Sequence, residues 1–125
     1  MGDPPEDAPS IDVISAITLA TGNMTQAVEF YTALGFAIRH GGSSSAFITF
    51  QVGGGHLNLM LVPGYRNQTL WGRIILYVSD VDAMHARAIR NGLQPQFAPR
   101  DAPWGERYFH ITAPDGHELS FAKPL

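Results

Sequence analysis

The sequence predicts an α+β fold in which two βαβββ modules form a cupped half-barrel sheet with helices on the outer face. Three observations lead there. Short runs of alternating apolar residues are separated by Gly-rich breaks, as half-buried strands require. Two stretches with apolar residues at helical spacing each begin at a capping side chain and stop at a glycine. The whole order of elements then occurs a second time.

Residues 13–20 read as the first strand, with Ile14, Ile17 and Leu19 as its apolar bulk, and Thr21-Gly22-Asn23 breaks it. Asn23 suits a helix cap, because its short side chain can accept from the unpaired N–H groups of a first turn. Met24, Ala27, Val28, Tyr31 and Leu34 follow at helical spacing, and Gly35 ends the helix. Strands are expected at 36–40, 46–52 and 56–62, joined by Gly41-Gly42-Ser43 and Gly53-Gly54-Gly55, with a linker at 64–70. The pattern then restarts with a strand at 73–79, the cap Asp80, a helix at 81–91 with Val81, Met84 and Ala88 inward, and the stop Gly92. Ile17/Ile74, Leu19/Leu76, Asn23/Asp80 and Gly35/Gly92 all stand 57 positions apart, a match of element types that argues against chance. Gly54 and Gly116 stand 62 apart, and the five additional residues are assigned to a longer arm at 99–105. The final hairpin has runs at 107–112 and 117–121 around Pro114-Asp115-Gly116, where Pro fixes φ and Gly accepts a positive one. In its second strand Leu119 and Phe121 face one way, and Glu118, Ser120 and Ala122 the other.

Composition narrows the function. The chain has 125 residues, 45% of them hydrophobic, enough for one domain with a core of its own. Residues 11–125 are read as that domain, with modules at about 11–63 and 71–125, and the acidic, Pro-rich residues 1–10 as a disordered tail. Net charge is -3 and the eight Lys and Arg residues are scattered, so no basic stripe offers itself to nucleic acid. The absence of cysteine removes thiol nucleophiles, thiolate metal sites and disulfides, and accords with a reducing cytoplasm. No apolar run approaches the roughly 20 residues of a membrane span, and the first ten residues lack the basic and apolar regions of a signal peptide. No membrane partner is expected.

Three motifs in this setting carry a resemblance. Residues 28–36, VEFYTALGF, residues 77–83, YVSDVDA, and Trp104-Gly105 leading to Pro114-Asp115-Gly116-His117-Glu118-Leu119 together resemble the vicinal-oxygen-chelate superfamily. That superfamily includes lactoylglutathione lyase (a glyoxalase), extradiol dioxygenases, fosfomycin-modifying enzymes and bleomycin-resistance proteins. The likeness covers about residues 13–124. It implies a homodimer, in some members with exchanged modules, and ligands held in the cups. It also implies four His, Gln or Glu metal ligands in the metal-dependent members. Those positions fall here on Ala16, Asn58, Arg73 and Ser120. A methyl, an amide, a cation and a hydroxyl do not hold a divalent metal as imidazoles and carboxylates do, so no metal and no other cofactor is expected. A shifted site from His56, His110 and Glu118 is an open alternative, against which the histidines simply satisfy hydrogen bonds near turns.

Period-two alternation puts Thr18, His56, Asn58, Met60, Arg73, Ile75, Tyr77, Glu118 and Ser120 on the inferred cup face. Apolar walls with a few polar groups are how small-molecule pockets are built. Asn58, Arg73, Tyr77, Trp104, His110, Glu118 and Ser120 are taken as the ligand-binding set, with Arg73 the clamp for a carboxylate or phosphate. The competing view is an Arg73–Glu118 ion pair that fills the cup with no ligand. Trp71 and Trp104 either line the mouth or serve as a lid over the core or a dimer contact, and Arg100, Asp101 and Glu106 could contact ligand, with a solvated charged loop as the default. No catalytic residue is assigned. Two functions stay open: a metal-independent protein that sequesters a planar or anionic compound, which is favoured, and a glyoxalase- or dioxygenase-type enzyme with or without a shifted metal.

Overall fold

The computed structural model describes residue 2 and residues 8–125, so the tail expected at 1–10 lies largely outside the described residues. The chain runs β1 (Ala16–Thr21), α1 (Met24–Ala33), β2 (Ala37–His40), β3 (Phe47–Val52), β4 (Gly55–Leu61), β5 (Arg73–Tyr77), α2 (Val81–Arg90), β6 (Arg100–Asp101), β7 (Glu106–Thr112) and β8 (Glu118–Pro124). Both helices start where a side chain supplies what the first turn lacks. Asn23 Oδ1 accepts from the Gln26 N–H at 3.0 Å, and Asp80 Oδ1 from the Ala83 N–H at 2.9 Å.

Each βαβββ module makes one four-stranded, unclosed sheet, in the order β1-β4-β3-β2 for the first and β5-β8-β7-β6 for the second. The outer pairs β1/β4 and β5/β8 are parallel, because a helix separates the first strand of each module from its partner, while the hairpins are antiparallel. One face of each sheet is apolar and covered. Leu19, Ile48, Phe50 and Leu59 in the first, and Ile74, Phe109, Leu119 and Phe121 in the second, all belong to a single buried cluster with the helices' inner residues. Phe36 and Phe121 bring the modules together there, ring centroids 6.4 Å apart. Tyr31 is buried in this cluster at 1% exposure with its hydroxyl unpartnered among the described residues. Burial, and secondarily the Asp115 charge, pushes its phenol far above the usual range, so the ring serves packing.

The structure corrects the sequence reading of the repeat. Ile48 pairs with Leu59, and Phe109 with Phe121, so equivalent residues are 61 apart on the third strands and 62 apart on the fourth. Four additional residues therefore precede β7, and the fifth lies in the last hairpin, not in the arm. The reason is turn chemistry. Gly53-Gly54 is a two-residue turn, whereas Pro114-Asp115-Gly116 spans three, with Gly116 at φ 93. The longer turn is anchored. Asp115 Oδ1 accepts from the Gly22 N–H at 2.9 Å and its backbone carbonyl from the Asn67 N–H at 2.8 Å, tying hairpin, first module and linker together. A Cβ at Gly116 would collide with the Asn67 carbonyl, so the turn needs glycine for space as well as for φ.

Strand β1 begins at Ala16, later than the alternation of 13–20 suggests, and Val13 and Ile14 remain exposed. The arm, expected to be solvated loop, contains the two-residue strand β6 on the edge of the second sheet.

Candidate ligand-binding site

Six of the seven residues assigned to ligand binding belong to the second module, on the open face of its sheet or beside it. Parallel pairing of β5 with β8 sets Arg73 opposite Glu118 and Ile75 opposite Ser120, while β7 sets His110 opposite Ser120 and Thr112 opposite Glu118. Since side chains alternate, these residues and Tyr77, Tyr108 and Glu106 share one face. Trp104 comes from the turn before β7 and lies against Tyr108, centroids 5.4 Å apart, with its indole N–H donating to Glu106 at 2.8 Å.

Asn58 is apart from this group. It lies on β4 of the first sheet, where its Oδ1 accepts from the Thr49 hydroxyl at 2.8 Å and its amide donates to Thr18 at 3.1 Å. Those bonds satisfy the amide within its own sheet. Trp71 is likewise occupied elsewhere: its indole N–H donates to Nδ1 of the buried His117, whose Nε2 lies 2.8 Å from the Ala20 carbonyl. His117 is thus a structural joint between the linker, β1 and the last hairpin.

Around Glu118 the chemistry is specific. Its carboxylate accepts from the Thr112 hydroxyl at 2.8 Å and from the Gln96 amide at 2.6 Å, whereas the nearest Arg73 nitrogen stands 4.0 Å away. Two neutral donors, not the guanidinium, hold the carboxylate in place. Arg73 is left at the surface, its side chain 31% exposed, with one long ionic contact and no hydrogen bond to Glu118. The Arg73–Glu118 contact of the competing view is present at 4.0 Å, but the hydrogen bonds to the carboxylate come from Thr112 and Gln96.

Sequence reasoning missed Gln96, Phe97, Tyr108 and Thr112 here; Arg100 is exposed, as a solvated arm implies, and is stacked as well. The arm between α2 and β7 folds over the sheet because the Gln96 N–H donates to the His110 carbonyl at 2.9 Å, fixing its first residues. Phe97, Tyr108 and His110 then form an aromatic triangle with centroid distances of 5.1 to 5.5 Å. The guanidinium of Arg100 lies 3.8 Å over the Phe97 ring, and its Nε donates to the Tyr108 hydroxyl at 3.1 Å. Asp101 pairs with Arg107 at 3.0 Å, and Arg107 also grips Asp82 of α2 at 2.9 Å, which secures the outer end of the arm. The Arg107 bonds hold the Asp82 carboxyl below its usual range. The alternation of Tyr108, His110 and Thr112 with Phe109 and Ile111 was a readable signal for two of the missed residues, Tyr108 and Thr112; the arm carries no such period.

Burial first, then the charges of Arg73 and Arg100, pushes the His110 imidazole below its ordinary 6.5, against the opposing pull of Glu118. The neutral ring is the favoured form in the fold, so the unfolded chain binds more protons on acidification. Its contribution to stability is present above the unfolded value and is lost as pH falls through the folded one. A His110→Gln variant is expected to show a shallower fall in urea midpoint between roughly pH 7 and pH 5 than the parent. Identical slopes would refute this account. Tyr77 is shifted in the opposite sense to a reactive phenol, since the acceptor Glu106 beside it holds its proton on.

The donor set does not fit the metal centre that the resemblance brings with it. Asn58 is saturated by Thr18 and Thr49, Arg73 is a cation, and Ala16 has no donor atom, which leaves the Ser120 hydroxyl alone. Nor do His56, His110 and Glu118 converge: among the described residues no three His, Asp or Glu side chains come together as a metal site would need. His56 is on β4 of the first sheet, and the other two are on the second. No helix among the described residues is long and apolar enough to cross a membrane.

Comparison with known proteins agrees with this architecture. A glyoxalase/bleomycin-resistance protein/dioxygenase from Nocardioides is 22% identical, covering 95% of this chain and 87% of that one, with a TM-score of 0.76. A bleomycin-binding protein solved in complex with bleomycin is 22% identical over 92% of this chain and all of its own, with a TM-score of 0.73. Lactoylglutathione lyase from Agrobacterium tumefaciens is 17% identical over 90% of this chain and 94% of its own, with a TM-score of 0.72. At such identities the likeness concerns the fold. An uncharacterised protein of Mycobacterium tuberculosis is 40% identical over 52 residues, 42% of this chain, and the match spans about a third (31%) of that protein's length. The family model of the Glyoxalase/Bleomycin resistance protein/Dioxygenase superfamily matches residues 13–121, nearly the whole described chain, and the chain belongs to that superfamily.

Proposed function

We propose that this protein is a metal-independent small-molecule-binding protein, resembling bleomycin-resistance proteins, that sequesters a planar or anionic compound on the open face of its second sheet. The observation that carries this reading is the state of Arg73. Glu118 is already satisfied by Thr112 and Gln96, so a guanidinium exposed on the same face as Tyr108 and His110 keeps its hydrogen-bonding capacity uncommitted to Glu118. A planar guanidinium fork suits a carboxylate or phosphate. Tyr77, Trp104, His110 and Ser120 supply walls and orientation around it. The similar bleomycin-binding protein supports the binding reading as well, and resistance to an antibiotic taken up into the cytoplasm is its finer form.

Residues 11–125 act as one unit in this proposal and pair as a homodimer. Strands β1 and β5 have free edges, and Ile11, Val13, Ile14, Ile75 and Tyr77 are exposed on or near them. Asn58, on the first sheet and bonded to Thr18 and Thr49, keeps a ligand role in this proposal where the partner's first sheet closes the cup.

A thermal-shift screen of aromatic carboxylates, small phosphates and planar antibiotics including bleomycin tests the reading, run beside metal analysis of protein purified without chelator and sedimentation at micromolar concentration. Stabilisation by members of the panel, metal well below stoichiometric and a dimeric mass are expected. Near-stoichiometric zinc, iron, manganese or nickel would replace this reading with a lyase or dioxygenase, the alternative that the likeness to lactoylglutathione lyase raises.

A further inference from the structure

We infer that Arg100, delivered by the arm peculiar to the second module, is a second recognition residue of this pocket and sets its ligand class as a planar aromatic ring bearing a carboxylate. The inference rests on the binding reading above. In the first module α1 ends at Ala33 and β2 begins at Ala37; in the second α2 ends at Arg90 and β6 begins at Arg100. The longer connection brings Gln96, Phe97 and Arg100 against one sheet, whereas at the first sheet the arginine of the edge strand, Arg39, donates to Gln51 at 3.3 Å. The first sheet's Thr18, Asn58 and Thr49 are bonded to one another.

Arg100 is oriented before any ligand arrives. Its guanidinium carbon stands 3.8 Å from the centre of the Phe97 ring and 5.4 Å from that of Tyr108, and its Nε is bonded to the Tyr108 hydroxyl. These contacts use the π face and one of the five N–H groups, leaving the terminal nitrogens and their in-plane donors free. Among the described residues Arg100 makes no ion pair, while Arg107 makes two. A stacked arginine without a counter-charge has already lost much of its rotamer freedom, which lowers the entropic cost of gripping an oxyanion. Arg73 is the other cation on this face, and both act on the His110 ring between them.

The ligand chemistry follows from what surrounds the two guanidinium groups. Trp104, Tyr108, His110 and Phe97 offer flat apolar area for a ring. Glu118 and Glu106, also on this face, balance the two cations in number and repel a second negative charge on the ligand. A carboxylate, singly charged and planar, matches that balance better than a doubly charged phosphate monoester.

Calorimetric titration with 2-naphthoate, its neutral isostere 2-naphthamide and 2-naphthyl phosphate tests this on the parent, Arg100→Gln, Arg100→Lys and Arg73→Ala, each checked for folding by circular dichroism. The parent is expected to bind naphthoate at least tenfold more tightly than naphthamide and more tightly than the phosphate. Arg100→Gln is expected to cut the naphthoate-over-naphthamide preference by at least half its logarithm, the remainder being held by Arg73, and Arg100→Lys to restore only part of what is lost. A carboxylate preference that persists undiminished in Arg100→Gln overturns the inference. If Arg73→Ala loses binding in that case, the binding reading survives without Arg100. If the parent takes up none of the three compounds, the ligand class proposed here fails, whereas the binding reading stands or falls on the wider screen.

Discussion

Replacing Phe121 by alanine is expected to cost about 3–5 kcal/mol of folding stability, the range for truncating a buried aromatic side chain. Phe121 is 2% exposed, stacks on Phe109 with centroids 5.4 Å apart, and meets the edge of Phe36 from the first module. Truncation opens a cavity at the one place where the aromatic packing of Tyr31, Phe36 and Phe50 passes into the second sheet. Set against the roughly 5–15 kcal/mol typical of a whole domain, that loss is a large fraction of the total. The urea midpoint should fall strongly with little change in slope, while Ile89→Ala, on the half-exposed side of α2, should stay within about 0.5 kcal/mol of the parent. A cost below about 1 kcal/mol for Phe121→Ala would mean that the two modules do not share a core.

That shared core was partly legible in the sequence. Period-two alternation in 117–121 assigned Leu119 and Phe121 to the covered face, and the caps Asn23 and Asp80 marked the helix starts, because both signals are local and each is set by a few neighbouring residues. The common face of Arg73 and Glu118 was legible from alternation within each strand, although the pairing of β5 with β8 was not. Which residues complete the pocket was not. Gln96, Phe97 and Arg100 lie in a segment without periodicity, and their positions are fixed by a backbone bond to His110 and by stacking on Tyr108, contacts with residues well along the chain. Asn58 shows the converse limit. Alternation gives the face on which a side chain lies but not what that side chain is bonded to, so the Thr18 and Thr49 partners of Asn58 were not legible. Glu118 shows a third. Its opposite charge suggested Arg73 as its partner, but the shorter reach of Thr112 and Gln96 won, and no charge pattern could have announced two neutral donors.

Arg73→Ala is expected to leave folding nearly intact and to remove binding of an anionic ligand. The two halves of that expectation have separate physical origins. At 4.0 Å, with its partner already satisfied by hydrogen bonds, the ionic contact to Glu118 is of the kind worth about 0–1 kcal/mol. Losing the guanidinium does not strand the carboxylate, since Thr112 and Gln96 still hold it. A charge-assisted hydrogen bond to a ligand carboxylate is worth about 1.5–3 kcal/mol, so affinity for an anionic compound should fall by roughly ten- to a hundredfold or more. Arg73→Lys keeps the charge but not the planar fork, and should recover only part of that loss. Thermal unfolding and ligand titration on the same preparations separate the outcomes. If the melting temperature collapses in Arg73→Ala while Gln96→Ala is harmless, the guanidinium is structural and the ion-pair view returns. If both melting and titration curves match the parent, Arg73 is no part of the site. Only a stable protein with weakened anion binding fits a guanidinium that the fold holds in the pocket and leaves without a committed partner.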